Sequence, residues 1–163
     1  MKTLLILRHA KSSWKDSEIA DHERPLNKRG KKDAPRMGRL LREEGLQPDL
    51  IISSTARRAR STAEAVAEES GFGGDVQLSQ DLYAAGSEAY IDALHSLPDE
   101  IASVLVVGHN PGLEELLENL SGENESLPTA ALARVTLPIL HWQELTAETQ
   151  GKLEGLWRPR ELA

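Results

Sequence analysis

The chain contains no cysteine. Disulfides, thiolate metal sites and a cysteine nucleophile are therefore excluded, which suits a cytoplasmic protein. Long hydrophobic runs are also missing. The first apolar run is too short for a membrane span and is followed at once by charge. It lacks the apolar stretch and small-residue cleavage site of a secretory signal. Neither a membrane nor an export route is expected. An excess of positive charge is absent too: the formal net charge is −7, which argues against nucleic acid as the main partner. No internal repeat or low-complexity tract interrupts the chain.

What is present suits a folded enzyme-sized unit. At 163 residues, 39% of them hydrophobic and 28% charged, residues 1–163 are expected to form one domain with a proper core. Leu4-Leu5-Ile6-Leu7 reads as a strand buried on both faces, the kind found in parallel sheets, and it ends abruptly in Arg8-His9. A polar loop from Lys11 to about Arg24 follows, long enough to suggest function. A helix is expected over about Lys28–Glu44, with Asn27 as N-cap and Gly45 past its end. Pro35 either kinks it or marks a second start. Lys28, Arg29, Lys31 and Lys32 read as solvated helix surface.

Leu50-Ile51-Ile52 forms a second strand ending in Ser53-Ser54-Thr55, any of which can cap the next helix. That helix carries small apolar residues at Ala59, Ala63, Val66 and Ala67. Val76-Gln77-Leu78 is a weak strand. Ser87 caps a helix with Tyr90, Ile91 and Leu94 inward. Val104–Val107 is the clearest strand and runs into Gly108-His109-Asn110-Pro111, with Asn110 as N-cap and Pro111 as the first helical residue. Ala131–Pro138 and Lys152–Arg158 read as an antiparallel pair at the sheet edge. The alternation implies a three-layer α/β/α fold with a mostly parallel sheet.

Three buried strands thus end in related polar groups: Arg8-His9, Ser53-Ser54 ahead of Arg57 and Arg58, and Gly108-His109. In open α/β sheets, ligands bind beyond the carboxyl ends of the strands. If the strands are parallel neighbours, two histidines and at least two arginines share one pocket with two helix N-termini. Such a pocket suits a phosphoryl group. Arginine matches phosphate oxygens with a fork of donors, and a neutral histidine can attack phosphorus to form a phosphohistidine. The second histidine could donate to the phosphoryl oxygens as an imidazolium. His22, His95 and His141 carry no such pattern, and no pair has the spacing of a zinc motif. No metal and no cofactor are expected.

Leu7-Arg8-His9-Ala10 resembles the Arg-His-Gly signature of the histidine phosphatase superfamily, the phosphoglycerate mutase-like enzymes. Ser53-Ser54-Thr55-Ala56-Arg57-Arg58-Ala59-Arg60-Ser61-Thr62-Ala63 is similar to its second motif, Ser-Pro-x-x-Arg-Ala-x-x-Thr, a match that selects Arg58 as the pocket arginine. Val107-Gly108-His109-Asn110 resembles the third. Arg24-Pro25-Leu26 with Arg29-Gly30 resembles the Arg-Pro-Leu-x-x-x-Gly element of the short SixA-like phosphohistidine phosphatases. The resemblance runs through the closing Trp157–Leu162.

It implies His9 as the transiently phosphorylated nucleophile, with Arg8, Arg58 and His109 holding the phosphoryl group and Arg24 as an extra phosphate contact. Ala10 stands in place of the usual glycine and Thr55 in place of proline. Where many members carry a glutamate that protonates an alcohol leaving group, this chain has Tyr83, after Asp81-Leu82. Asp21 or Glu23 is then a possible substitute acid. The activity implied is removal of phosphate from histidine on a protein by a monomeric, cytoplasmic enzyme. Two other activities fit the same residues, a small-molecule phosphomonoesterase and a non-catalytic phosphate-binding module.

Overall fold

The computed structural model describes residues 1–162. In chain order the elements are β1 (Lys2–Arg8), α1 (Lys28–Glu43), β2 (Leu50–Ser54), α2 (Arg57–Ser70), β3 (Gln77–Ser79), α3 (Ser87–His95), β4 (Ser103–Gly108), α4 (Gly112–Ser121), β5 (Leu132–Leu137) and β6 (Lys152–Trp157). The strands form one sheet in the order β3-β2-β4-β1-β5-β6. β3, β2, β4 and β1 run parallel, while β5 pairs antiparallel with both β1 and β6. The α/β fold and its antiparallel edge are as the sequence implies.

The aliphatic runs of β1 and β4 are buried on both faces because helices cover both sides of the sheet. Successive side chains alternate between faces. Leu4, Ile6, Val104 and Val106 pack with Leu94 of α3 and with Leu113, Leu116, Leu117 and Leu120 of α4. Leu5, Leu7, Leu105 and Val107 pack with Met37 and Leu41 of α1 and with Ala63 and Val66 of α2. The small residues of α2 let α1 come close. A Cβ on Gly38 would lie 2.9 Å from the Val66 carbonyl oxygen.

Some local expectations change. Asn27 caps α1 by accepting from the Gly30 N–H at 2.9 Å. Pro35, however, sits inside one continuous helix and starts nothing new. It frees the carbonyl of Lys31, on an exposed turn that water can reach. None of Ser53, Ser54 or Thr55 occupies the N-cap of α2. Ala56 does, without a side-chain cap, and the Ser54 hydroxyl accepts from the Ala56 N–H at 3.2 Å just ahead of the helix. Asn110 does not cap α4 either. The helix begins at Gly112, and the Asn110 amide donates to the Leu127 carbonyl at 2.8 Å. Gly86 rather than Ser87 flanks α3.

Candidate active site

Strand register brings the three polar strand ends together. Arg8 stands opposite Gly108, and Ser53 opposite Val107. The His9 N–H donates to the Gly108 carbonyl at 3.0 Å, and the Ala130 N–H reaches the carbonyls of both Arg8 and His9. The backbone on which both histidines stand is thus held from two sides. The His9 and His109 rings lie 5.2 Å apart, centroid to centroid. They line a cavity of about 320 Å³ together with Arg8, Arg24, Arg58 and Tyr83. The sequence-derived residues Arg8, His9, Arg24, Arg58 and His109 therefore share one site at the carboxyl edge of the parallel strands.

Hydrogen bonding sets the state of His9. Its Nδ1 lies 2.8 Å from the Ala10 carbonyl oxygen. A carbonyl only accepts, so Nδ1 carries the proton and Nε2 keeps its lone pair. Burial, with smaller contributions from His109, Arg58 and Arg8, lowers its pKa to about 3. His9 is a neutral imidazole at physiological pH. Ala10, the departure from glycine, is accommodated. The described non-glycine residues with positive φ are Ala84 and Ala130, and the Ala10 N–H is taken by the Thr62 hydroxyl at 3.0 Å. Thr62 in turn donates to the Arg58 carbonyl at 2.7 Å, tying the end of β1 to the first turns of α2.

His109 is positioned by two residues outside the sequence-derived set. The Ser54 hydroxyl meets its Nε2 at 2.9 Å. The buried Tyr90 hydroxyl accepts from its backbone N–H at 3.1 Å. Tyr90 needs Gly108 to come this close, since a Cβ there would collide with its hydroxyl. From sequence Tyr90 is an inward-facing helix residue, and nothing local distinguishes it from core. Burial first, then Arg58, pushes the pKa of His109 down to about 4. Without a bound anion beside it, His109 is held in its neutral form. A bound dianion would favour the charged form.

Asp21 ties the cationic side of the site together. Its carboxylate accepts from Arg58 Nη2 and Arg24 Nε, each at 3.1 Å, and from the Tyr83 hydroxyl at 2.6 Å. Its backbone carbonyl accepts from Arg58 Nη1 at 2.8 Å. The Tyr83 hydrogen bond is the largest cause that lowers its pKa to about 2. Asp21 is therefore an ionised acceptor that orients two arginines, a different part from that of a proton donor. Glu23 is exposed and meets His22 Nδ1 at 2.7 Å. It stands outside the cavity lining, so its carboxylate is spent on a surface pair. Tyr83 lines the cavity, but its proton is held by Asp21, which raises its pKa. Arg24 is further fixed by the Ser12 hydroxyl at 2.6 Å and by Trp14, whose ring centroid lies 3.5 Å from the guanidinium carbon. Among the described residues, no cluster of three or more His, Asp or Glu side chains could hold a metal ion.

The family model of the histidine phosphatase superfamily (branch 1) matches residues 4–85. An uncharacterized chloroplastic protein of Arabidopsis thaliana is 36% identical over 97% of this chain and 78% of its own length. Among solved structures, a candidate phosphohistidine phosphatase SixA from Agrobacterium tumefaciens superposes with a TM-score of 0.83 at 31% identity, covering 97% of this chain and 98% of that one. The protein histidine phosphatase SixA in complex with tungstate matches in fold, with a TM-score of 0.84 at 24% identity over 99% of both chains. The α/β fold and these matches define a phosphatase class, and the chain belongs to the histidine phosphatase superfamily. Within it the chain falls in the SixA-like branch.

Proposed function

We propose that this protein is a phosphohistidine phosphatase acting on histidine phosphorylated in other proteins, through a covalent phospho-His9 intermediate. The observation that carries the reading is the state of His9: Nδ1–H fixed on the Ala10 carbonyl, Nε2 free, the ring neutral, and two guanidiniums beside it. Nε2 attacks phosphorus, a bond forms between them, and the bond from phosphorus to the leaving nitrogen breaks. The electron pair goes to the leaving imidazole, which takes a proton from solvent. Water then attacks phospho-His9, releasing phosphate and restoring the neutral ring. Arg8, Arg58, Arg24 and His109 hold the phosphoryl oxygens, where charge must be stabilised.

The leaving group follows from proton supply. Asp21 is ionised and the Tyr83 proton is held more firmly than usual, so neither side chain is suited to protonate a leaving group. An alkoxide needs a proton to depart, whereas an imidazole titrates near neutrality and departs readily. The matched SixA proteins support the same substrate. The test compares initial rates on a phosphohistidine peptide, a phosphoserine peptide, a sugar phosphate and an aryl phosphate. The phosphohistidine peptide is expected to be turned over fastest and the alkyl esters slowest. Equal kcat/KM on phosphoserine and phosphohistidine would overturn the reading.

A further inference from the structure

Beside the catalytic cavity the molecule carries a second feature that catalysis does not use. The Ser12–Leu26 bridge, with the Ser13 N–H donating to Pro25 and the Asn27 N–H to Lys11, makes a short two-stranded ribbon. On the catalytic side the ribbon presents Ser12, Trp14 and Arg24. The ribbon also borders an open groove of about 900 Å³, lined by Ser13, Pro25 and Leu26 and edged by Lys15, Lys28, Lys31 and Lys32. The groove continues past Lys31 into a hollow of about 220 Å³ reached by Arg57.

The four lysines are exposed, and none forms an ion pair among the described residues. Arg29, by contrast, is neutralised by the buried Asp33 at 3.3 Å. Three of the lysines stand in the first turns of α1, whose first turn has no acidic residue. Positive charge there opposes the helix dipole, so helix stability does not account for it. Nor does overall composition, since the chain carries a net charge of −7.

We propose that this lysine-edged groove docks an acidic segment of the protein whose phosphohistidine enters the neighbouring cavity. The inference rests on the phosphatase reading above and adds the chemistry of the substrate around the phosphorylated residue. An acidic segment complements the lysines and is otherwise repelled by the acidic molecule. The exposed Trp14 ring, stacked on Arg24, gives it an apolar ridge to cross. An extended chain rises about 3.3 Å per residue and paired strands lie about 4.8 Å apart, so passing over two strands with their side chains takes about three residues. The acidic positions therefore lie about three to six residues from the phosphohistidine.

The test uses peptides that carry either phosphohistidine or phosphotyrosine, each flanked at those positions by Glu or by Gln. The full-length protein and a Lys28→Gln/Lys31→Gln/Lys32→Gln variant are compared on all of them. The Glu-flanked peptides are expected to show KM about tenfold lower than their Gln counterparts at low salt. The preference should fade as salt screens it and vanish in the variant, with kcat unchanged. Equal KM for Glu and Gln flanks, or a preference that survives the triple substitution, would overturn the docking proposal. The acidic preference reads the groove on either phosphorylated residue. The ratio of phosphohistidine to phosphotyrosine turnover separately reads the proposed reaction.

Discussion

His9 owes its protonation state to one hydrogen bond and to burial. A surface histidine would be partly protonated near neutrality and free to choose its tautomer. This one is neutral, with Nδ1–H spent on Ala10 and the Nε2 lone pair left unprotonated, the state the proposed attack requires. Its neighbours divide the remaining work. Arg58 faces the carboxylate and carbonyl of Asp21 as well as the cavity, so its guanidinium is held before any ligand arrives, which lowers the cost of binding. His9→Ala should therefore abolish turnover while inorganic phosphate still binds, because the arginines remain. Arg58→Gln should weaken both, with phosphate affinity falling about tenfold or more and kcat falling as well. Calorimetric titration of phosphate beside steady-state rates separates the two variants. Wild-type turnover by His9→Ala would remove the covalent route.

At the scale of elements, the strands deliver and the helices hold. β1, β2 and β4 end in register, so Arg8, His9 and His109 reach the cavity directly from strand ends, while Asp21 and Arg24 are carried to it by the loop before α1. α2 contributes Arg58 from its first turn and Thr62 from the next, and Thr62 pins the backbone beyond His9. α1 is different. Its Asn27 cap is favourable, yet Lys28 and Lys31 place positive charge at its positive end. Lys28→Glu should raise stability by about 0.3–1 kcal/mol through the helix dipole, read as a shift of the urea midpoint at low ionic strength. A fall in stability would mean that Lys28 makes a stabilising contact instead.

The whole molecule keeps two histidines neutral and buried, and this shapes its response to acid. The pKa values of His9 and His109, about 3 and about 4, lie below the ordinary histidine value of 6.5. The unfolded chain therefore binds more protons than the native state once the pH falls below about 6.5. Their contribution to stability is full above that pH and is lost as pH falls towards 3–4. At pH 5 each group is worth about 2 kcal/mol less than at pH 7. Urea unfolding at the two pH values should show this loss, and His9→Gln should remove roughly half of it. Asp21, with its pKa lowered to about 2 from the ordinary 3.8, adds a further loss of stability as pH falls through the ordinary aspartate value towards 2.

The aliphatic runs that stop at Arg8, Ser53 and Gly108 are local patterns, and they determined by themselves the strands, the fold class and the placing of Arg8, His9 and His109, whereas Arg24 and the choice of Arg58 rested on the family resemblance. Periodicity and abrupt polarity at a strand end can be read without knowing what lies across the sheet. The tertiary structure decided what depends on distant partners. Asp21 is 37 residues from Arg58 and 62 from Tyr83, and only their meeting turns a loop carboxylate into an ionised anchor. Ser54 reaches His109, 55 residues away, and Tyr90 is turned from core residue to support of the same histidine. The pKa of His9 belongs to this second group as well. Its type and place are written in the chain, but the burial that keeps it neutral exists only once the strands stand side by side.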